Sequence, residues 1–423
     1  MKKLLKSLDE FNIFTLGDVN RLKTPEEFFN VLKEGFIKSK EAYIATMYFG
    51  EDEQSNELLQ MIENRNDEGK RTIIICDKAR GMTEHIKLMI KKHKLFDNFY
   101  FKKSSSSLFP SKVSELLSVF HSKIILFDDK AIVTGANVNG SYFNVRLDRY
   151  FYTLNTELVN LIIGTVFVPI IQKSKDIGGF NIVSGNVGCV HNSFYASKKG
   201  IESQDVFANT LTTILQEQNN PTNVIDMLDY KEISTDPKII VYDEKSEYSV
   251  IEALVDRGFN EIVISTAYLN FPYEYIKLLR KANVKIVVND PETNIFTEYG
   301  NHGSLVTDIY KYSTLRTALN LPKSQIYEFR REGYTMHAKG IWAFTDTVAA
   351  TMIGSSNMNR RSLNRDTELN FLLVSSREEH VKLFREEVAD LLKRSTLRDV
   401  KDLQSRDYSL LVILIFILFN SFI

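Results

Sequence analysis

Residues 121–137 read HSKIILFDDKAIVTGAN, and residues 337–357 read HAKGIWAFTDTVAATMIGSSN. Each stretch opens with His-x-Lys, continues as an apolar run and ends in a turn that contains Gly and Asn. The chain has seven histidines, and two of them open these stretches. Because side chains alternate along a strand, a His and a Lys two residues apart lie on one face. The two stretches therefore predict two strand pairs, each presenting an imidazole and an ammonium group together.

The sequence around both stretches repeats one plan. The strand-like runs EAYIATMYFG (41–50) and TIIICD (72–77) are matched by EIVISTAYLN (261–270) and KIVVND (285–290). Landmarks recur at nearly one offset: His121 and His337 (216 residues), Gly135 and Gly354 (219), Tyr48 and Tyr268 (220). Strands that alternate with amphipathic helices are typical of α/β proteins. The predicted fold is a duplicated α/β domain, with two mixed sheets flanked by helices and a pseudo-twofold site at their interface.

Length and composition suggest how the chain is divided. Because 423 residues exceed what one ordinary hydrophobic core accommodates, we predict an N-terminal segment at 1–25 and domains at 26–200 and 201–400.

The chain carries 53 Lys and Arg residues against 54 Asp and Glu residues, which gives a net charge of −1. This balance disfavours a nucleic-acid partner, since such proteins usually carry a basic excess. The two cysteines fit neither a disulfide framework nor a zinc site.

The C-terminal tail differs from the rest of the chain. Residues 408–423 read YSLLVILIFILFNSFI and carry no charge. This stretch is shorter than the about 20 residues that a membrane-spanning helix needs. We expect a short membrane anchor or a segment lying in the membrane interface, with a buried terminal strand as the alternative.

The residue types in the two stretches favour phosphate chemistry. A histidine acts as a nucleophile or a proton donor near neutral pH, and a lysine offers a positive charge to a phosphate oxygen. Two such sets related by a pseudo-twofold axis would form a cationic pocket with two imidazoles. One imidazole would attack phosphorus while the other protonates the leaving group.

The spacing resembles the two HKD motifs of the phospholipase D superfamily: His, one residue, Lys, four residues, Asp, six residues, then a Gly-Ser-type turn. The positions that fit are His121, Lys123, Asp128 and Gly135 in the first copy, and His337, Lys339, Gly354, Ser355 and Asn357 in the second. The second copy departs from the pattern, because Asp346 lies seven residues after Lys339 where five is expected. Asp346 is therefore not assigned the role of Asp128.

Longer strings narrow the resemblance. Segments similar to those of eukaryotic phosphatidylglycerophosphate synthases occur in the same order: ATMYFG, ICDKARG, GANVNGSYFNVRLDRYF, STAYLNFPYEY, NDPETNIF and EFRREGYTMHAKGIWAF. The similarity covers residues 25 to 395. The HKD spacing specifies only the superfamily, whereas these strings point to this branch.

The resemblance implies a phosphatidyltransferase that needs no metal or other cofactor. CDP-diacylglycerol would donate its phosphatidyl group to glycerol 3-phosphate, forming phosphatidylglycerophosphate and CMP. His121 would attack the diacylglycerol-linked phosphorus, and His337 would protonate CMP and then deprotonate the acceptor hydroxyl. Lys123 and Lys339 would bind the non-bridging oxygens, and Asp128 would orient structure behind its own motif.

The resemblance also implies supporting residues. Asn139, Ser355 and Asn357 would donate hydrogen bonds to substrate, and Glu368 would hold the second nitrogen of a catalytic histidine. Arginines are expected to bind the acceptor's phosphate, and the candidates are Arg149, Arg365, Arg146, Arg360, Arg361 and Arg80.

Several alternatives stay open at this stage. The same fold with another acceptor would be a phosphatidylserine synthase, a cardiolipin synthase or a phospholipase D, and the superfamily also contains nucleic-acid phosphodiesterases. Because the substrate is a lipid, a membrane surface is an expected partner, contacted by the tail. The resemblance implies a mitochondrion or a related organelle, with another internal membrane as the alternative.

Overall fold

The computed structural model describes residues 12–15, 17–103, 118–184, 237–256, 259–293 and 300–419. The strands in these ranges are β1 (Asn12–Thr15), β2 (Val19–Leu22), β3 (Glu41–Thr46), β4 (Arg71–Asp77), β5 (Phe99–Lys102), β6 (Ile124–Phe127), β7 (Lys130–Thr134), β8 (Arg146–Leu147), β9 (Tyr150–Leu154), β10 (Ser174–Asp176), β11 (Asn181–Val183), β12 (Lys238–Tyr242), β13 (Glu261–Ser265), β14 (Val284–Asn289), β15 (Gln325–Phe329), β16 (Thr335–Met336), β17 (Gly340–Phe344), β18 (Ala349–Gly354), β19 (Asn370–Ser375) and β20 (Ser395–Arg398).

The helices flank these strands. They are α1 (Pro25–Lys38), α2 (Glu53–Asp67), α3 (Lys78–Gly81), α4 (Glu84–Lys92), α5 (Gly140–Asn144), α6 (Thr156–Ile162), α7 (Val168–Gln172), α8 (Glu247–Asp256), α9 (Tyr273–Leu279), α10 (Gly300–Asn320), α11 (Arg360–Asn364), α12 (Glu378–Lys393), α13 (Val400–Gln404) and α14 (Leu410–Phe419). A π-helical stretch (Ile163–Phe167) joins α6 to α7, and a 3-10 turn (Pro291–Thr293) follows β14.

Helix α1 shows how local sequence sets these elements. Thr24 caps its N-terminus by accepting a hydrogen bond from the amide of Glu27, and Pro25 occupies the first turn, where no amide hydrogen is needed. Phe28, Leu32 and other apolar residues at helical spacing are buried against the first sheet. The periodicity of this segment thus predicts its structure.

Two mixed nine-stranded sheets form the centre of the described structure. Their strand orders are β10-β11-β5-β4-β3-β6-β7-β9-β2 and β20-β15-β14-β13-β17-β18-β19-β12-β1. In both, three neighbouring parallel strands (β5-β4-β3 and β15-β14-β13) continue into an antiparallel hairpin (β6-β7 and β17-β18). The two sheets share this order, which confirms the duplicated fold with two mixed sheets.

The N-terminal segment joins both sheets. Strand β1 pairs with β12 at the edge of the second sheet, whereas β2 pairs with β9 at the edge of the first. Residues 12–15 and 19–22, which lie within the segment predicted at 1–25, therefore supply one edge strand to each sheet.

The two halves share one apolar core. A single cluster of buried residues contains Tyr43, Ile124 and Phe151 from the first half together with Trp342 and Phe371 from the second. The two-stranded parallel sheet β8-β16 also crosses this interface, as does a backbone bridge between Phe120 and Thr367. These backbone contacts hold the ends of the two motif strands beside each other.

The described part of the tail is helical, so residues 410–419 do not form the buried strand considered as an alternative. Val412 and Phe416 pack with Ile309 of α10, and the ring of Phe416 lies 5.3 Å from that of Tyr312. The side chains that face outward are Leu410, Leu411, Leu414, Ile417, Leu418 and Phe419, each 47–72% exposed. None of the described helices combines the length and apolar character required to cross a bilayer.

Candidate active site

Both motif histidines lie where the two halves meet. The amide of His121 donates to the carbonyl of Thr367 at 2.9 Å, and the amide of His337 donates to the carbonyl of Leu147 at 2.7 Å. Both residues are buried, with 7% and 3% of their surface exposed. Each histidine precedes its strand and is fixed by the backbone of the opposite half.

A carboxylate from the second half holds His121. The Nδ1 atom of His121 lies 2.9 Å from Oε2 of Glu368, which is fully buried. Burial lowers the pKa of His121, so its neutral form predominates at pH 7. Burial acts to raise the pKa of Glu368, but the nearby His121 and Lys123 outweigh this and leave it below its usual value. Nδ1–H therefore donates to an ionised carboxylate, which leaves Nε2 with a free lone pair.

A carboxylate from the first half holds His337. Its Nδ1 lies 2.6 Å from Oδ2 of Asp148, whose side chain is fully buried. Burial holds the pKa of His337 well below its ordinary value, and the positive charges of Arg146 and Lys339 act in the same direction. The hydroxyl of Tyr142 lies 3.2 Å from Nδ1 and 3.3 Å from Nε2 of the same ring.

The two motif lysines complete a compact cationic centre. Lys339 Nζ lies 2.9 Å from Nδ1 of His337 and 3.7 Å from Asp148, while Lys123 Nζ donates to the carbonyl of His121 at 2.6 Å. Burial and then repulsion by Lys339 lower the pKa of Lys123 to about 7. Burial also lowers the pKa of Lys339 to about 8, against the opposing effect of Asp148. Such buried ammonium groups are arranged to gain from an anionic ligand.

The comparisons with known proteins fit this geometry. A family model described as "Cardiolipin synthase, PLD-like domain" matches residues 259–392. The structure of phosphatidylserine synthase from Haemophilus influenzae Rd KW20 superposes on 100% of this chain and 98% of its own, with a TM-score of 0.73 at 17% identity, which shows a common fold. The family match agrees with the resemblance of the chain to the phospholipase D superfamily. The superfamily's two HKD motifs correspond to the two stretches that open with His121 and His337.

Named relatives cover most of the chain. The mitochondrial CDP-diacylglycerol–glycerol-3-phosphate 3-phosphatidyltransferase of Homo sapiens is 24% identical over 91% of this chain and 79% of its own length. The CDP-diacylglycerol–glycerol-3-phosphate 3-phosphatidyltransferase of Saccharomyces pastorianus is 25% identical over 95% of this chain and 87% of its own.

The aspartate of the first motif lies outside the pocket. Asp128 sits in the turn between β6 and β7 with φ of 48°, and its Oδ1 accepts the amides of Lys40 at 3.0 Å and Glu41 at 2.9 Å. Asp346 is exposed in the corresponding turn of the second half. These contacts place Asp128 away from the catalytic groups and fit the role of orienting structure behind its motif.

Two residues predicted to bind substrate use their polar groups within the protein. The guanidinium of Arg149 bonds both carboxylate oxygens of Glu387, at 2.9 and 2.8 Å, and lies 3.9 Å from the ring of Trp342. It also donates to the Met352 carbonyl and the Thr351 hydroxyl, and is only 3% exposed. Arg149 therefore bridges the two halves, which corrects the prediction that it binds substrate.

Asn139 likewise has a structural contact set. It caps α5 by accepting the amide of Ser141 at 3.0 Å, and its Nδ2 donates to Asp52 at 3.3 Å. Both polar atoms of its side chain have partners within the protein, and a direct substrate contact of Asn139 stays a prediction.

The second-motif turn lies nearer the chemistry. Ser355 is fully buried, exchanges hydrogen bonds with the backbone of Leu369, and helps to lower the pKa of Glu368. Asn357 is buried, and its Oδ1 has no hydrogen-bond partner among the described residues. Arg365 is half-buried just after α11, with its amide donating to the carbonyl of Arg361. The predicted role of Glu368 matches its position, whereas substrate contacts of the other three stay predictions.

The first-motif glycine is required by close approach. A Cβ at Gly135 would lie 2.7 Å from Oδ1 of Asp148 and 2.9 Å from the carbonyl oxygen of Gly354. Gly135 therefore lets the turn of the first motif approach the backbone of Gly354 in the other half. Across the described ranges, no group of three or more His, Cys, Asp or Glu side chains is placed to hold a metal ion.

Sequence reasoning did not single out Asp148. It lies within the string LDRYF, and Glu368 follows it by 220 residues, the offset that also separates Tyr48 from Tyr268. That shared offset is the signal that would have found it, because the duplicated plan places one acid after each motif.

Proposed function

We propose that this protein transfers the phosphatidyl group of CDP-diacylglycerol to glycerol 3-phosphate, giving phosphatidylglycerophosphate and CMP. The observation that carries the proposal is the pair of histidine–acid contacts, with a buried lysine beside each histidine. The names of the human and yeast relatives support the choice of donor and acceptor. The reaction places the protein in phosphatidylglycerol and cardiolipin synthesis.

In the first step, Nε2 of His121 attacks the phosphorus that carries diacylglycerol. A P–N bond forms while the P–O bond to CMP breaks, and His337 donates its proton to the departing oxygen. The diphosphate brings negative charge close to His337, which raises the pKa of this imidazole towards that of a working acid. Lys123 and Lys339 stabilise the charge on the non-bridging oxygens.

In the second step, the roles reverse. Neutral His337 removes the proton from the primary hydroxyl of glycerol 3-phosphate as that oxygen attacks phosphorus. The new P–O bond replaces the P–N bond, and the lone pair returns to Nε2 of His121. The Glu368 carboxylate keeps the proton of His121 on Nδ1 throughout, so Nε2 is the atom that enters and leaves the bond.

The surroundings of the two rings support His121 as nucleophile. His337 has the hydroxyl of Tyr142 and the ammonium of Lys339 within 3.3 Å of both ring nitrogens. His121 is the more exposed of the two, and its ring is held through Nδ1 alone in the contacts that the structure describes. The less crowded ring leaves more room for a tetrahedral phosphorus.

The outward face of α14 is the proposed membrane contact. Its large exposed side chains are all apolar, and residues 408–419 carry no charge. Burial of such a face in the lipid interface is favourable, at about 25 cal/mol per Å² of apolar surface. The helix rests on α10, whose Tyr310 lies 5.2 Å from Tyr268 beside His337. A lipid surface at α14 would therefore lie on the His337 side of the pocket.

The proposed location is a mitochondrion or a mitochondrion-related organelle. The printed name of the human relative includes this compartment. Cell fractionation with organelle markers tests the location, and recovery with another internal membrane would replace it.

The reaction is tested by supplying one donor and several acceptors. Purified protein in detergent micelles receives CDP-diacylglycerol with EDTA, and parallel samples hold glycerol 3-phosphate, serine or water, each beside a His121→Ala control. Phosphatidylglycerophosphate and CMP formed with glycerol 3-phosphate is the expected result. Product with serine alone would replace the acceptor, and CMP well beyond one equivalent per protein in every sample without the substitution would indicate a phospholipase D. If CMP forms in none, the proposed reaction is wrong and nucleic-acid phosphodiesters become the substrates to test.

A further inference from the structure

The two sides of the pocket differ in charge at one pair of equivalent positions. Asp148 and Glu368 are 220 residues apart, and two residues before them stand Arg146 and Asp366. Asp366 is satisfied internally, because it accepts the amide of Val119 at 3.1 Å and pairs with Arg361 at 2.9 Å. The cation at this position therefore occurs only on the His337 side.

Arg146 is held against the rings that surround His337. Its guanidinium lies 4.8 Å from the ring centre of Tyr142, and Nη2 donates to the hydroxyl of Tyr268 at 2.6 Å. The Tyr142 and Tyr268 rings in turn lie 5.2 and 5.7 Å from the ring of His337. The Nε atom of Arg146 is buried and has no hydrogen-bond partner in the described ranges. A buried guanidinium donor without an acceptor is costly, which points to an anionic ligand.

A second unpartnered atom occurs at another pair of equivalent positions. In the first half, Oδ1 of Asn137 accepts the Thr46 hydroxyl at 3.2 Å and the Met47 amide at 3.2 Å. In the second half, the hydroxyl of Thr266 donates instead to the backbone carbonyl of Asn357, at 2.8 Å. Oδ1 of Asn357 is thereby left without a partner in the part of the chain described. The side-chain oxygen that accepts hydrogen bonds within the first half is therefore available to a ligand at the equivalent position of the second half.

We propose that Arg146 forms a subsite for the phosphate monoester of the acceptor, on the His337 side of the pocket. This inference rests on the proposed function and deepens it, because it gives the acceptor's second phosphate a binding group. Nε and Nη2 of a guanidinium present parallel donors that match two phosphate oxygens. Oδ1 of Asn357 accepts a hydroxyl of the glycerol part. The acceptor then lies next to His337, the imidazole that removes its proton.

The test compares glycerol 3-phosphate with glycerol, which lacks the phosphate, as acceptors for CDP-diacylglycerol in micelles. The measured quantity is the ratio of their kcat/KM values. Arg146→Gln is expected to lower this ratio about tenfold to a hundredfold, as for loss of a hydrogen bond to a charged group. Arg146→Lys should restore part of the ratio. Arg330→Gln, which changes a 59% exposed arginine paired with Glu292, is the matched control and should leave the ratio unchanged.

A purely structural role for Arg146 predicts a different result. Loss of the contacts to Tyr142 and Tyr268 would lower kcat/KM for both acceptors equally, and an unchanged ratio would overturn the proposal. Calorimetric titration with glycerol 3-phosphate alone separates the subsite from the reaction. Binding by the natural protein that is lost in Arg146→Gln supports the subsite, even if CDP-diacylglycerol releases no CMP and the proposed function fails. Equal binding by both proteins overturns it.

Discussion

Nδ1 of His121 lies 2.9 Å from Oε2 of Glu368, a residue 247 positions later in the chain and in the other half of the fold. The equivalent contact runs in the opposite direction between the halves, because Nδ1 of His337 lies 2.6 Å from Oδ2 of Asp148 in the first half. Each imidazole is thus oriented by an acid that its own half does not supply. The duplication therefore yields one active site from two halves, and each of the two motif histidine–acid pairs takes one member from each half.

Replacing the acid that holds His121 should slow the reaction. Glu368→Gln removes the charge that fixes the ring and its tautomer, so we expect kcat to fall by roughly 10²- to 10⁴-fold. The negative charge of Glu368 acts to raise the pKa of His121. Its loss should therefore move the acid limb of the pH profile of kcat/KM to lower pH.

Asp346→Asn is the matched control for this change, because it converts an exposed turn carboxylate to an amide. Its kcat and pH profile should match those of the natural protein. A Glu368→Gln variant with normal kcat and an unmoved acid limb would show that the carboxylate does not position His121.

The lowered pKa values of the two motif lysines predict how kcat/KM depends on pH. The pKa of Lys123 is lowered to about 7 and that of Lys339 to about 8, mainly by burial. Only protonated lysine attracts the diphosphate, so kcat/KM should fall as pH rises through this range, since this quantity reports the free enzyme. In Lys123→Arg the charge persists to high pH, and the fall should begin at a higher pH. A flat profile from pH 7 to about 9 in the natural protein would contradict this explanation.

The buried ion pair between Arg149 and Glu387 should stabilise the folded protein. Arg149→Gln removes the two-bond ion pair of the buried Glu387, which keeps Trp342 Nε1 at 2.7 Å and Arg21 at 3.7 Å. Breaking a buried pair in this way costs about 3–5 kcal/mol of unfolding free energy. Denaturant unfolding followed by circular dichroism measures the loss. The exposed arginine variant Arg330→Gln should cost less than about 1 kcal/mol. Equal losses in the two variants would show that the Arg149 pair is not special.

The outward face of α14 should govern vesicle binding. Leu414 and Leu418 are 47% and 70% exposed, so Asp at both positions should leave the fold intact and remove apolar surface from the interface. Cosedimentation with phosphatidylcholine vesicles should fall strongly. Leu397→Asp introduces the same charge at a 52% exposed leucine on β20 and should have little effect. Unchanged sedimentation of the double variant would rule out this face as the membrane contact.

Local sequence was sufficient to predict the duplication, the two hairpins and the motif histidines and lysines. The hairpins and motifs depend on strand periodicity and on spacing within about twenty residues, and the duplication depends on a repeat offset of 216–220 residues, all of which the sequence displays directly. The partner of His337 was missed because Asp148 reaches it across 189 positions, through a contact that only the docking of the halves creates. Arg149 was misjudged for a related reason: its burial depends on Trp342 and Glu387 of the other half.

The central claim is that His121 carries the phosphatidyl group between the two steps. The direct measurement is acid-quench mass spectrometry after mixing the protein with CDP-diacylglycerol and no acceptor. We predict one equivalent of CMP released with a phosphatidyl mass on the peptide that contains His121, lost on adding glycerol 3-phosphate and absent in His121→Ala. An adduct on His337 would exchange the two roles. CMP release that requires glycerol 3-phosphate, with no adduct on either histidine, would contradict the covalent mechanism.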